Sequence, residues 1–408
     1  MKHSNWLQSV ASASGTGPLT ADANRELAQL DELLFGAWNH GKNILLAWTQ
    51  DAAELRFVAV RHYKILEPFG DNADAGIAHA DRDLINSVLA GPKCLDAAAF
   101  DALCTDLRGA AHVIRADAAA LGRLSSELIS VLVSRYGISL VRERAVILLD
   151  IVGFSLHPPL EQVAMINSLS YSANSAYLQL MSKKIRGSFP PPLFARTTTG
   201  DGFYIWNRDK TLEGNIALYQ LMMLLLTDNA VAQRKAKRFP VPTLRAAFHV
   251  GEHYEFFQME AMSPTAFSYI VGQVTIDLAR IIDKALPGQV LLGDFNIAMR
   301  DAGSGALINQ STPGFIAKTA TTLQRLHGMN VAYHRVAEIR CYITGERTAD
   351  GEFTVERYSI LDKHGRTHAA YNAKINIHLQ RGKPVFLGLQ HRDLRHPAAG
   401  GHGWPADR

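Results

Sequence analysis

Apolar and polar positions along the chain fall into two periodicities. In the first 140 residues the spacing is mostly helical. Leu27, Leu30, Leu33, Leu34 and Trp38 recur at intervals of three and four, so a helical pattern is expected from Thr20 to about Phe57. Asp81–Ala90, Leu95–Leu107 and Asp117–Tyr136 carry the same signal, and Val58–Leu66 is a candidate strand. Ala145–Leu149 is different: a continuous apolar run of β-formers, expected as a buried strand that ends in Asp150 and opens onto Gly153. A helix is predicted from Pro158 toward Arg186, with proline in its first turn, and Pro190-Pro191-Pro192 interrupts it. Two β-like runs, Pro192–Arg196 and Phe203–Trp206, flank Gly200-Asp201-Gly202, which is a hairpin signal. Leu212–Lys237 and Gln273–Ala285 are expected helices, Thr243–Val250 and Gln289–Leu292 expected strands.

Strand, helix, hairpin, helix, strand gives an α+β fold with a ferredoxin-like βαββαβ plan. Beyond residue 300, Val331–Ile343, Phe353–Leu361 and Asn372–Leu379 alternate as strands do, with Asp362-Lys363-His364-Gly365 as a tight turn. Residues 1–18 and His391–Arg408 have the small, polar composition of disordered ends.

Composition narrows the class. The 408 residues are 47% apolar and 20% charged, ordinary for a soluble globular protein. A net charge of +4 supplies no strong field for polyanions, so nucleic acid is not an expected partner. The basic end of the Leu212–Lys237 segment (Arg234, Lys235, Lys237, Arg238) suits a helix C-terminus instead. Three scattered cysteines, Cys94, Cys104 and Cys341, fit a reducing compartment. The first residues lack a signal-peptide core, and the longest apolar run, Leu221–Leu226, is far short of a membrane span. A cytoplasmic protein without direct membrane contact is expected. The N-terminal region has no cluster of His, Asp, Glu or Cys at catalytic spacing; it is expected to serve packing or dimerisation, with sensory input as the alternative.

The chemistry concentrates at two carboxylates. Asp150 ends a strand and Asp201 sits in a hairpin turn, so both can converge on one divalent cation, for which hard oxygen ligands select Mg²⁺ or Mn²⁺. Taken singly, each aspartate is equally well explained as a helix cap or turn former.

Four blocks in order extend this: "LLDIVGFS" (148–155), "TTGDGFYIW" (198–206), "LRAAFHVG" (244–251) and "VGQVTIDLARI" (271–281). Over residues 143–300 the chain resembles the class III nucleotide cyclases. The resemblance implies a catalytic domain spanning 141–345, between a mainly helical region 1–140 and a C-terminal sensor-like extension with a disordered tail, 346–408. It implies two metal ions, Mn²⁺ or Mg²⁺, held by Asp150, Asp201 and the carbonyl of Ile151. The amides from Ile151 through Gly153, Phe154 and Ser155 precede a helix and can cradle phosphate oxygens; Ser155 stands where the family usually has Thr. Arg280 matches the arginine that stabilises the α-phosphate in the transition state. The ribose-positioning asparagine four residues earlier is replaced by Ile276, and neighbouring Asp277 is the candidate substitute. Lys363 is the candidate phosphate-binding lysine. The family also implies a homodimer with shared active sites.

Base selection departs most from the family. The positions that carry Lys and Asp in ATP-using members, or Glu and Cys in GTP-using ones, are Thr197 and Tyr269 here. The bulk of Tyr269 suggests a smaller base. The chain is therefore most similar to the pyrimidine cyclases of bacterial Pycsar antiphage systems, which implies UTP converted to cyclic UMP, or CTP to cyclic CMP, and a separate effector protein that binds the product. An adenylate cyclase with an atypical pocket is the alternative. A catalytically dead nucleotide-binding module is disfavoured by the presence of Asp150, Asp201 and Arg280, and a diguanylate cyclase by the missing GGDEF-type block.

Overall fold

The computed structural model describes residues 19–66, 75–181, 194–236, 240–259, 266–331, 333–349, 353–362 and 364–394. The chain divides into two compact units, one formed by residues 1–142 with 253–271, the other by 143–252 with 272–408.

The first unit begins with α1 (Ala21–Trp38), whose N-cap Thr20 accepts a hydrogen bond from the Ala23 amide. Its Leu27, Leu30 and Leu34 are fully buried, each contributing about 1.5–3 kcal/mol of apolar transfer free energy. The helix stops well short of Phe57. Asn39, His40 and Gly41 all take positive φ, and Asn39 closes the helix with its amide on the Phe35 carbonyl. The chain then enters a sheet: β1 (Asn43–Gln50) and β2 (Glu54–Arg61) pair antiparallel. The five consecutive buried residues Leu45–Thr49 fit a strand covered on both faces, which the helical reading of this stretch missed. After α2 (Ala75–Ala90) and α3 (Ala97–Asp106), β3 (His112–Asp117) completes the antiparallel order β1-β2-β3. The helix expected from Asp117 begins only at α4 (Ser126–Arg135), capped by Ser125. One face of the sheet packs Leu27, Trp48, Phe57, Leu128 and Tyr136; the other packs Leu46, Val58, Ile85, Leu89 and Phe100. Helices still supply most of the regular structure in this region, packed on a three-stranded sheet.

The second unit starts within β4 (Ile138–Ile151), at Glu143, with the inward-facing Ala145, Ile147, Leu149 and Ile151 in its core. Helix α5 (Pro159–Leu180) comes next, then β5 (Phe194–Thr198), β6 (Gly202–Asn207), α6 (Leu212–Lys235) and β7 (Leu244–Met259). From His253 onward β7 belongs to the first unit, where it pairs with β8 (Ala266–Val271). The chain continues with α7 (Gln273–Asp283), β9 (Val290–Gly293), the hairpin β10 (Asn296–Arg300) and β11 (Leu307–Ser311), and α8 (Thr312–Thr322). The strands β12 (Asn330–Val331), β13 (His334–Ile343), β14 (Arg357–Leu361), β15 (Thr367–Leu379) and β16 (Val385–Leu387) end in the short helix α9 (His391–Leu394).

The large sheet of this unit runs β12-β13-β15-β9-β7-β4-β6-β5, with β14 and β16 also on β15. The result is a mixed α+β fold. Strands after residue 300 therefore join the sheet itself: β15 pairs with β9 in the register Ala370↔Gly293. The tail expected to be disordered starts as α9, in which His391 is buried; residues 1–18 and 395–408, and Lys363, lie outside the described residues. Among the described residues no helix is long and apolar enough to cross a membrane.

Candidate active site

Alternation along β4 sends Leu149 and Ile151 into the core and leaves Asp150 on the other face. Its neighbour across the ladder is Gly202, the first residue of β6. The hairpin before Gly202 is tight: the Thr199 amide donates to the Gly202 carbonyl at 3.0 Å, and Gly200 takes φ +100°. Asp201 sits in that turn, and its carbonyl accepts the Ile151 amide at 3.0 Å. The strand end and the hairpin turn thereby bring the two carboxylates together. Burial, with the nearby Asp201, pushes the Asp150 carboxyl up, while the Arg245 guanidinium opposes the shift.

Nothing local in the sequence marks Arg245, although it lies inside "LRAAFHVG". Its Nε donates to Asp150 Oδ2 at 2.6 Å, and its Nη1 reaches the carbonyls of Asp283 (3.4 Å) and Ala285 (3.3 Å) at the end of α7. A cationic side chain thus neighbours the two carboxylates.

The donor set suits a divalent cation. Two carboxylates, one of them disfavoured in its ionised form by its surroundings, gain from a cation between them. Among the described residues no cluster of three or more His, Cys, Asp or Glu is arranged for a metal. Two protein carboxylates with remaining positions open to phosphate oxygens and water is the pattern expected of Mg²⁺. Of the amides expected to meet phosphate, two are already engaged. The amides of Ile151 and Val152 are engaged by the carbonyls of Asp201 and Thr243, so Gly153 (φ +67°), Phe154 and Ser155, entering a single 3-10 turn, remain the candidates.

Asp277 and Arg280 lie three residues apart on α7 and enter a second cluster. Asp277 receives Gln273 Nε2 at 2.8 Å, lies 2.9 Å from His368 Nδ1 and 3.7 Å from His249 Nε2. Burial holds His249 toward its neutral form, and Gly293 makes room for its ring: a Cβ there would sit 2.3 Å from His249 Cδ2. Arg280 Nε is 3.5 Å from Asp362 Oδ2, which is 3.2 Å from His368 Nε2. Asp277 is thus held by three side chains. The Ile276 side chain is 46% exposed. His249, Asp362 and His368 were missed because their pairing depends on strands β7 and β15 meeting through β9.

Among the described residues, no hydrogen bond or ion pair joins the Asp150 cluster to the Arg280 cluster. Arg245 and His249 mark the two along β7, four residues and roughly 13 Å apart. Thr197 faces Tyr204 across the β5–β6 ladder, and the Tyr204 hydroxyl donates to the Thr275 carbonyl at 3.0 Å. Tyr269, on β8 of the other unit, is 38% exposed and packs its ring against Phe256 at 5.6 Å. Lys363 belongs to the residues not described.

No protein-family model matches the sequence, and no curated protein matches it. Among solved structures, the adenylyl cyclase CyaB from P. aeruginosa is similar at 13% identity and a TM-score of 0.33, over 60% of this chain and 97% of that one. The guanylyl cyclase Cya2 gives 12% and 0.31, over 58% and 92%. The dimeric guanylyl cyclase domain of the RhoGC fusion protein from the aquatic fungus Blastocladiella emersonii gives 10% and 0.34, over 57% and 97%. All three are structures of nucleotide cyclases.

Proposed function

We propose that the chain is a nucleotide cyclase that converts UTP to 3′,5′-cyclic UMP and pyrophosphate, with CTP the second substrate. The observation that carries this reading is the meeting of Asp150 and Asp201 at one strand end, with Arg245 beside them. Bound Mg²⁺ or Mn²⁺ would be held there by the two carboxylates and the Ile151 carbonyl, and would supply charge neutralisation for the triphosphate and a more acidic ribose hydroxyl. The chain's own groups do the rest. The amides of Gly153, Phe154 and Ser155 bind phosphate oxygens, Lys363 adds a cation to the triphosphate, and Arg280 takes up charge developing at the α-phosphate. Asp277 orients the ribose.

Separation of the carboxylates from Arg280 within one chain supports a homodimer in which each site draws its metal ligands from one subunit and its arginine from the partner. The strand order β7-β4-β6-β5, with α5 and α6 as crossovers, supports the ferredoxin-like layout of such a catalytic core. Thr197 and Tyr269, neither of them part of a purine-selecting pair, support a pyrimidine base. Thr197 both donates and accepts, so the choice of uracil over cytosine rests on the sequence resemblance. That resemblance also supports a role for the product in antiphage signalling, read by a separate cyclic-nucleotide-binding effector in the cytoplasm.

The test is incubation of the purified full chain with ATP, GTP, CTP and UTP in turn, with Mn²⁺ or Mg²⁺, and identification of the products. Cyclic UMP as the main product is expected, and Tyr269→Ala is expected to admit purines. Faster conversion of ATP or GTP than of either pyrimidine nucleotide overturns the base assignment.

A further inference from the structure

The β14–β15 hairpin is fastened to α7 at two points, through Asp362 and His368. The turn itself fixes Asp362. Its Oδ1 accepts the amides of His364 (2.8 Å) and Arg366 (2.9 Å), and its own amide donates to the Arg366 carbonyl at 2.9 Å. Oδ2 is left to face His368 Nε2 at 3.2 Å and Arg280 Nε at 3.5 Å. His368 then bridges to Asp277 through Nδ1 at 2.9 Å. The Asp362 and His368 side chains are only 4% and 6% exposed, so water screens little of this chain of contacts.

Arg280 differs from its partners. Its side chain is 30% exposed, and its buried Nε lies near Asp362 without a hydrogen bond to it. The carboxylate therefore draws the guanidinium by charge and fixes its root, while its terminal nitrogens form no hydrogen bond among the described residues. The guanidinium is thus not clamped by the two parallel hydrogen bonds of a bidentate pair. Backbone amides, with His368, hold the Asp362 carboxyl down to about 2, so the charge facing Arg280 is present at every working pH.

Resting on the cyclase reading, we propose that Asp362 and His368 are positioning residues: they aim Arg280 and Asp277, and the hairpin behind the catalytic core is part of each active site rather than a detachable extension. Reaction geometry is sensitive enough for this to matter, since misplacement of a group by about 1 Å can cost about 100-fold in rate.

The experiment compares the full chain with Asp362→Asn, His368→Ala and His368→Gln, measuring kcat and KM on the best triphosphate together with the melting temperature. The expected result is a fall in kcat of at least tenfold for Asp362→Asn and His368→Ala, with KM within about twofold. His368→Gln, whose amide can still donate to one carboxylate, recovers part of the loss at an unchanged melting temperature. Loss of kcat that follows the melting temperature across all three variants shows a structural role and overturns the proposal. Unchanged kcat in Asp362→Asn and His368→Ala also overturns it. Failure of the cyclase reading is seen separately, as no turnover of any triphosphate by the unmutated chain, and takes the proposal with it.

Discussion

Gly202→Ala tests whether the distance between the β5–β6 hairpin and β4 sets the activity. Gly202 faces Asp150 in the ladder, and a Cβ added there would lie 1.9 Å from the Leu149 carbonyl oxygen and 2.8 Å from its carbon. Both obstacles are backbone in the centre of a sheet, so no rotamer change relieves them. Real Cβ contacts begin near 3.0–3.4 Å, so the hairpin must withdraw from β4 by about 1.1–1.5 Å. Asp201 precedes Gly202 and moves with it, away from Asp150. Overpacking of this kind costs about 1–3 kcal/mol, or about 2–4 °C in melting temperature for each kcal/mol in a domain of this size. The effect on turnover is expected to be larger, about 100-fold in kcat, because a displacement near 1 Å separates the two carboxylates that the proposed reaction uses together. The assay is steady-state product formation with saturating Mn²⁺, run beside a thermal melt. A variant that melts within a degree of the parent and keeps half its kcat refutes the reasoning, since the hairpin would then have accommodated the methyl without moving Asp201.

Three further outcomes are expected. Asp150→Asn abolishes product yet raises the melting temperature at pH 7 in chelator: burial and Asp201 push the Asp150 carboxyl above its unfolded value, so stability is lost as pH rises from the unfolded to the folded value and the penalty is complete above the latter. The gain should shrink as pH falls toward the unfolded carboxylate value of about 3.9 and vanish below it; equal melting of variant and parent at pH 7 counts against the assignment. Asp362 has the opposite sign: its carboxyl is held at about 2, so its contribution is full above the unfolded value of about 3.9 and is lost as pH falls toward 2, and acid-unfolding curves of parent and Asp362→Asn should converge there. Mixing Asp201→Ala with Arg280→Ala, each inactive alone, should restore about a quarter of parental activity, because half of the exchanged dimers carry one intact site. No recovery despite demonstrated subunit exchange speaks against shared sites.

Local signals were enough to find the strand ending at Asp150, the hairpin holding Asp201 and the helix bearing Arg280, since each is written in a short run of adjacent residues. An apolar run, a Gly-Asp-Gly turn and a 3.6-residue period need no distant partner to be recognised. The same locality misled at Leu45–Thr49, where consecutive buried residues serve a strand covered on both faces and the sequence carries no alternation to reveal it. Tertiary structure alone decided the rest. Arg245 meets Asp150 because β7 lies beside β4, and His368 meets Asp277 because β15 joins the sheet through β9 some ninety residues later in the chain. Ladder register, unlike periodicity, is fixed by contacts between distant segments, so a hairpin that reads in sequence as an appendage comes to hold the arginine of the proposed site.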